Sequence, residues 1–551
     1  MIDWTRTSVI RCQVNSPEAP VQIWHPRVEL TEREERLLKV IGRSRKLIAF
    51  LRTFRHVIFD DAFQSELWAM YRDSGQGADA YPPALLCMAQ FLQCYFHASD
   101  AEVVRLSATD RCWRLVLDLP LDGDDPAFSQ GAFQQGRERL IRHQLDRRLL
   151  ERTIEVAKET KAFDFKKLQK LRVAVDSRPF EGAGRVEDTF NLLGHAGKKV
   201  AACAAKQLGS TVEEACRQAG APLLLGSSTK AALDIDWNSA EQKAEALNRL
   251  CIQLGRRAAW VERHLEVVEE SPLSRYIEAL TQVKAQDLEP APGGKVQLRQ
   301  GVAEDRRCSI EDAEMRHGRK SKTKRFNGFK QHVETDLDTE RILAGAVTPA
   351  NRPEEEATPL LQADLKAQGL APDEVYVDRA DVNSSLVDEV EENGGKVLSK
   401  PWGGVNPKEG LFGKRDFEID VANGTITCPG GQTEPFEPGE AVEFNPEVCG
   451  ACPLRAQCTK AASGRGRTVT MGDNEKLQQR LRRLQQTRPG RAQLRERVPV
   501  EHRLAHLANR QGPKAKYFGV RKNTYDLRLH SAIQNLETIH RRIEERQRTA
   551  S

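Results

Sequence analysis

The sequence predicts a mixed α/β protein, a sheet of short strands that follows a helical block and is broken by two inserts. Three observations predict it. Long stretches repeat apolar residues every three or four positions; short β-branched runs such as LRVAVDSRPF begin near Lys170; strand and helix signals then alternate as far as Pro401. At 551 residues the chain exceeds one ordinary hydrophobic core, so a main domain with added modules is expected.

From about Leu30 to Lys161 the pattern is helical, as in LLKVIGRSRKLIAFL and in ALLCMAQFLQCYF, which opens after Tyr81-Pro82-Pro83 where proline suits a first turn. Ser99 or Asp100 can cap the next helix, and the loop LDGDDPAFS leads into QGAFQQGRERLIRHQL. Such helices can form a helix-turn-helix DNA reader or simply pack on one another. LRVAVDSRPF is then a strand with a carboxylate at its end. Helix returns from about Asn191 to Ala285, and LEPAPGGK reads as a loop or linker.

FNGFKQHVETD and RILAGAVTP make a hairpin; helix follows in PEEEATPLLQADLKAQG, strand in EVYVDRA, helix in SLVDEVEENGG and strand in KVLSKP. Antiparallel strands followed by parallel crossovers, in this order, describe the ribonuclease H-like fold. After Pro401 the pattern breaks for roughly ninety residues, longer than an ordinary loop, and recovers as a helix near Gln493 to Asn509 carrying Glu501. The expected parts are an N-terminal helical domain over 1–165 that could bind DNA, a first piece of the core over 166–190 and a helical insertion with linker over 191–310. The core continues over 311–401, an irregular insert occupies 402–490, and 491–551 completes the core and adds basic helices.

Charged residues at 30% and hydrophobic ones at 39% fit a soluble globular protein, and no apolar run reaches spanning length. The start MIDWTR lacks the basic residues and apolar stretch of a secretory signal, so the expected location is cytoplasmic. The net charge of +5 is small for this length, and its distribution matters more. From Met315 to Lys330 stand Arg316, Arg319, Lys320, Lys322, Lys324, Arg325 and Lys330 with no acid among them, and bases again outnumber acids from Lys460 to Arg528. One such run is usually a solvated surface; two of them around the acids described next point to phosphate contact.

Asp176 and Asp378 are expected at strand ends and Glu501 on the late helix, places that this topology can bring face to face. Phosphodiester chemistry needs an activated attacking oxygen and a stabilised leaving oxygen, which two magnesium or manganese ions held by carboxylates supply. Taken singly, each acid could equally be a cap or an ion-pair partner. Eight cysteines (Cys12, Cys87, Cys94, Cys112, Cys203, Cys216, Cys251, Cys308) show no framework spacing and read as buried apolar residues in a reducing compartment. The other four, Cys428, Cys449, Cys452 and Cys458, contain a Cys-Gly-Ala-Cys turn suited to one tetrahedral zinc ion, which would supply folding energy to a core-poor insert.

AVDSRPFEGAGRV, MRHGRKSKTKRFNGFKQHVETDLDTERILAGAVTPAN, YVDRADVNSS and RVPVEHRLAHLANRQGPKAKYFGVRKNTYDLRLHSAIQNLETI resemble, in order, segments of the bacterial insertion-sequence transposases of the DDE class. The N-terminal stretches ALLCMAQFLQCYFHASDAEVVRL and GAFQQGRERL are similar to the helical domain preceding their core. The resemblance implies Asp176, Asp378 and Glu501 as the acidic triad. It departs after the second acid, where Asp-x-Gly-Tyr is common and Arg379, Ala380 and Asp381 stand here, leaving Asp381 as a competitor. Arg497 fits an arginine position four before the glutamate, for holding phosphate or for a helix-face ion pair, whereas position 494 is Leu and no lysine follows until Lys514. The four-cysteine pattern recurs in insertion-bearing members.

The implied activity is DNA transposition: water attacks at the element ends, then the freed 3′-hydroxyl attacks target DNA. Its expected partners are double-stranded DNA of the terminal inverted repeats and the target, held by a homodimer because both ends are handled together. A stand-alone ribonuclease H-like nuclease and a DNA-binding regulator are the alternatives.

Overall fold

The computed structural model describes residues 22–41, 45–71, 80–166, 168, 170–402 and 410–550; Cys12 lies outside them. The chain divides into two compact units, residues 1–163 with 532–551, and residues 164–531.

The first unit is helical. Helix Pro83–Phe96 begins with proline at its first turn and is buried from Pro83 to Cys94, so it is a central packing helix with no face left for a DNA groove. Ser99, rather than Asp100, caps helix Asp100–Thr109, its hydroxyl accepting from the Glu102 amide while the Glu102 carboxylate accepts from the Ser99 amide. Ser129 caps Gln130–Arg142, its hydroxyl accepting from the Ala132 amide. The stretch LLKVIGRSRKLIAFL belongs to two helices, Glu32–Ile41 and Lys46–Ile58. Between them, buried Arg52 pairs with Glu34 at 3.1 Å and donates to the carbonyls of Val28 and Glu29.

The second unit is built on a mixed sheet. Its central strand β1 (Arg172–Glu181) pairs antiparallel with β2 (Arg325–Asp336), which pairs antiparallel with β3 (Ile342–Pro349); on the other side β1 runs parallel to β4 (Glu374–Tyr376), and β4 parallel to β5 (Lys396–Leu398). A short strand Arg316–Arg319 also lies along β2. The β2–β3 hairpin matches the sequence expectation. Helices Thr358–Ala367 and Ser385–Glu392 are the crossovers, burying Leu361, Leu365, Leu386, Val387 and Val390. Gly328 permits the closest approach in the sheet: its φ is +151°, and a Cβ there would stand 2.3 Å from the Phe180 carbonyl oxygen.

Asp176 was expected at a strand end but lies inside β1, opposite Val333, because the antiparallel pairing with β2 continues to Glu181. Only the parallel partner stops short, at Ala174 opposite Tyr376. The expected single helix from Gln493 to Asn509 is two, Arg488–Arg495 and Val498–Gln511. Pro499 forces the break, since it lacks an amide hydrogen and its ring would clash with the Arg495 carbonyl.

The insertion after β1 is helical as expected, with Thr189–Gln207, Ala240–His264 and Pro272–Asp287 its longest helices. LEPAPGGK, however, is a small hairpin of Leu288–Ala291 with Lys295–Leu298, turned by Gly293 and Gly294 at positive φ. The second insert is not irregular. Strands Glu418–Asp420, Thr425–Thr427 and Thr433–Pro435 form one sheet and Ala441–Glu443 with Thr468–Thr470 another, over a core of Phe417, Ile426, Val442, Phe444, Val469 and Met471. Three-residue strands are too short to show alternation in sequence.

Glu334 of β2 is fully buried, and among the described residues neither carboxyl oxygen has a hydrogen-bond partner. Burial pushes its pKa from 4.5 up to about 8, with repulsion from Asp364 and Glu389 adding to it. Below the ordinary carboxylate range both folded and unfolded chains hold the proton; above it, up to the raised pKa, only the folded chain does, so this group costs stability as pH rises through that window. Glu334→Gln is therefore expected to melt above wild type by a margin that widens from about pH 5 to about pH 8. A margin that stays constant across that range counts against a protonated Glu334.

Candidate active site

Helix Val498–Gln511 is held on one face of the sheet by its apolar stripe. Val500 packs with Ala174, Tyr376 and Leu398, while Leu504 and Leu507 join Phe180, Phe329, Val333 and Ile342. Asp176 stands opposite Val333 in the antiparallel register, on the face this helix covers. Asp378 follows β4 and precedes the single turn Arg379–Asp381, with extended φ/ψ of −73° and 167°. Asp176 and Asp378 thus belong to neighbouring parallel strands, and Glu501 lies in the first turn of the helix above them.

One guanidinium joins the two aspartates. Arg497 Nη2 is 2.9 Å from Asp176 Oδ1, and its Nη1 pairs with Asp378 Oδ1. The Asp176 side chain is only 13% exposed, whereas that of Asp378 is 57% exposed. Burial raises the Asp176 pKa; Arg497 and the Ser177 amide oppose this, and the nearby charges of Asp378 and Glu501 push it further up. Asp381, the rival second acid, is buried and its pKa is pushed up to about 7 by burial, Glu354 and Asp378. Asp378 therefore shares a cation with Asp176, and Asp381 faces inward.

Asp378, Arg497 and Glu501 open on a cleft that Tyr376, Ser399, Lys400 and Arg491 also line. Lys400 and Arg491 were not singled out from sequence; the general basic bias after Lys460 is the only signal for Arg491, and Lys400 had none. A second group missed by sequence anchors the break between the two helices. Glu496 pairs with Arg172 and accepts from the Tyr376 hydroxyl at 3.2 Å, while Arg172 also reaches that hydroxyl at 2.9 Å and Asp338 at 3.0 Å. Arg172 and Glu496 are far apart in the chain, so no spacing pattern links them.

Of the basic run, Arg319, Lys320, Lys322, Lys324 and Arg325 are exposed on the turn between strand Arg316–Arg319 and β2. Arg316 differs from the expectation of a DNA contact: it is buried, pairs with Asp305 at 2.8 Å and donates to the carbonyls of Ala313 and Met315. Its fork is already satisfied within the protein. Lys330 donates to the Arg352 carbonyl at 2.7 Å.

Cys428, Cys449, Cys452 and Cys458 line one small cavity in the second insert, beside Gly430. A Cβ on Gly430 would fall 3.1 Å from the Cys452 sulfur and 3.6 Å from that of Cys428. Burial raises the Cys458 thiol pKa, Arg467 opposes it, and the other three cysteines raise it further. Among the described residues no group of three or more His, Cys, Asp or Glu side chains is arranged to hold a metal ion. Of the cysteines without framework spacing, Cys87, Cys94, Cys112, Cys216 and Cys308 are buried and Cys203 and Cys251 are half-buried.

Comparison with known families gives two matches. A family model described as Transposase DDE domain matches residues 427–540, from the four-cysteine insert through the Glu501 helix, and one described as Transposase domain (DUF772) matches residues 39–139 in the N-terminal helices. No curated protein and no solved structure matches the chain. Transposase matches over both its N-terminal helices and the segment bearing Glu501 support an insertion-sequence transposase of the DDE class.

Proposed function

We propose that this transposase cuts and joins DNA strands at a divalent-metal site formed by Asp176, Asp378 and Glu501 on a ribonuclease H-like core. The observation that carries the reading is the convergence of Asp176 and Asp378 on one guanidinium, with Glu501 one helical turn beyond Arg497 on the same cleft. A site that gathers two carboxylates around a cation, with a third at its rim, suits magnesium or manganese, which prefer hard oxygen ligands. The strand order β3-β2-β1-β4-β5, antiparallel then parallel, supports the fold assignment.

Two bound ions would activate the attacking oxygen, water and then a 3′-hydroxyl, and steady the leaving one. The chain's own part is positional and electrostatic. Asp176, half-enclosed under the glutamate helix, is the ligand most shielded from water; Asp378 and Glu501 approach from the open side. Lys400, Arg491 and Arg497 give the cleft the positive rim that a phosphodiester needs to approach carboxylates. The exposed turn Arg319–Arg325 is read as a duplex contact, without Arg316. The substrate class is double-stranded DNA at inverted repeats and target, handled by a homodimer. No described helix is long and apolar enough to cross a membrane.

Purified protein given a pre-cleaved element end and magnesium should join it to target DNA, and Asp176→Asn, Asp378→Asn or Glu501→Gln should each cut that rate by at least about a thousandfold, roughly 4 kcal/mol of barrier. Joining at wild-type rate by Asp176→Asn would falsify the assignment. Changing Lys320, Lys322 and Lys324 together to Ala should lower the slope of log affinity against log salt by about 2 to 3 units. An unchanged slope removes the turn from the DNA interface.

The four thiols on one cavity support a structural zinc site that adds to the small apolar core of the second insert. Elemental analysis of the full chain should find about one zinc per protein, lost in a Cys449→Ser/Cys452→Ser variant that also melts lower. Zinc-free wild-type protein with an unaltered melting curve would dismiss the site.

A further inference from the structure

Arg497 occupies the place that the reading above gives to metal. Its side chain is 12% exposed, and among the described residues its hydrogen bonds go to the carboxylates of Asp176 and Asp378, while its buried Nε has no partner among them. Two buried arginines of the helical unit, Arg52 and Arg114, are bound differently. Arg52 adds two main-chain carbonyls to its carboxylate, and Arg114 donates to the carbonyls of Pro120, Ser107, Ala108 and Asp125. Those contacts last as long as the backbone does. Arg497 is held by the charges of Asp176 and Asp378, with Glu501 adding to their field, and any other cation competes for them.

We propose that Arg497 is a latch: in DNA-free protein its guanidinium holds Asp176 and Asp378 in place of divalent metal, and it leaves them for a DNA phosphodiester, so that metal loading and DNA binding are coupled. The inference rests on the reading of these acids as metal ligands. A guanidinium and a divalent ion on the same carboxylate oxygens repel each other, so one must go. Without DNA, withdrawing Arg497 would leave Asp176 charged and enclosed, which is costly. A phosphodiester drawn into the cleft by Lys400 and Arg491 supplies the alternative partner, since a guanidinium fork fits phosphate as well as carboxylate. Arg497 stands at the break before helix Val498–Gln511, so its side chain can swing while the helix stays packed through Val500, Leu504 and Leu507.

The test is Mn2+ titration of the full-length protein by calorimetry, with and without a short duplex from the element end. In wild type the duplex should tighten Mn2+ binding by about tenfold or more, and Mn2+ should tighten duplex binding by the same factor, because coupling is reciprocal. Arg497→Gln should bind Mn2+ about tenfold more tightly without DNA and gain little when DNA is added. A merely neighbouring charge would raise Mn2+ affinity in this variant but leave the DNA coupling intact, and that result overturns the latch. Arg497→Lys, which keeps the charge and loses the fork, serves if the Gln variant does not fold; wild-type coupling in it likewise overturns the latch. Asp176→Asn separates the two ideas: unchanged Mn2+ affinity there removes the metal site and the latch together.

Discussion

The site depends on the packing of one short helix against the sheet. Val500, Leu504 and Leu507 are spaced four and three apart, and burying them on Ala174, Tyr376, Val333 and Ile342 fixes both the rotation and the height of Val498–Gln511. Glu501 then faces the cleft because it is the next residue after Val500, about 100° round the helix. Arg497 reaches the aspartates because Pro499 ends the preceding helix and starts this one. Arg172, Tyr376 and Glu496 pin the break to the start of β1 and the end of β4. The carboxylates and the apolar stripe are therefore one design: shifting the helix by a residue would move every group in the cleft.

The electrostatics of the sheet are one-sided. On the face beneath the glutamate helix, enclosed Asp176 is balanced by Arg497. On the opposite side Glu334, opposite Val175, is buried under the crossover helices and its pKa is raised by its surroundings, while Asp364 pairs with Arg528 at 2.8 Å. Burial raises the pKa of both Asp176 and Glu334, and of the two it is Asp176 that has a guanidinium opposing the shift.

The inserts show how this chain extends its core without disturbing it. The helical insertion leaves the sheet after β1 and returns before β2, the two strands that pair most extensively, so the long antiparallel register closes over it. The second insert sits between β5 and the glutamate helix and carries its own six-residue apolar core. A core that small is marginal alone, which is the physical reason for four thiols on one cavity to matter.

By itself the sequence determined the alternation of helix and strand, the β2–β3 hairpin, the crossovers, a cap at Ser99 or Asp100, and the residue types of the proposed chemistry. These are legible because periodicity, capping and turn chemistry are local. It misjudged the extent of β1, the split at Pro499, the LEPAPGGK hairpin and the order within the second insert, where pairing partners lie outside any short window. It chose Asp378 but left Asp381 as a competitor, and it counted Arg316 with its exposed neighbours. Only the tertiary structure decided that Asp378 shares a cation with Asp176, that Asp381 and Arg316 turn inward, and that Arg497 bridges the acids. Burial and charge partners are set by segments hundreds of residues apart, and no spacing along the chain encodes them.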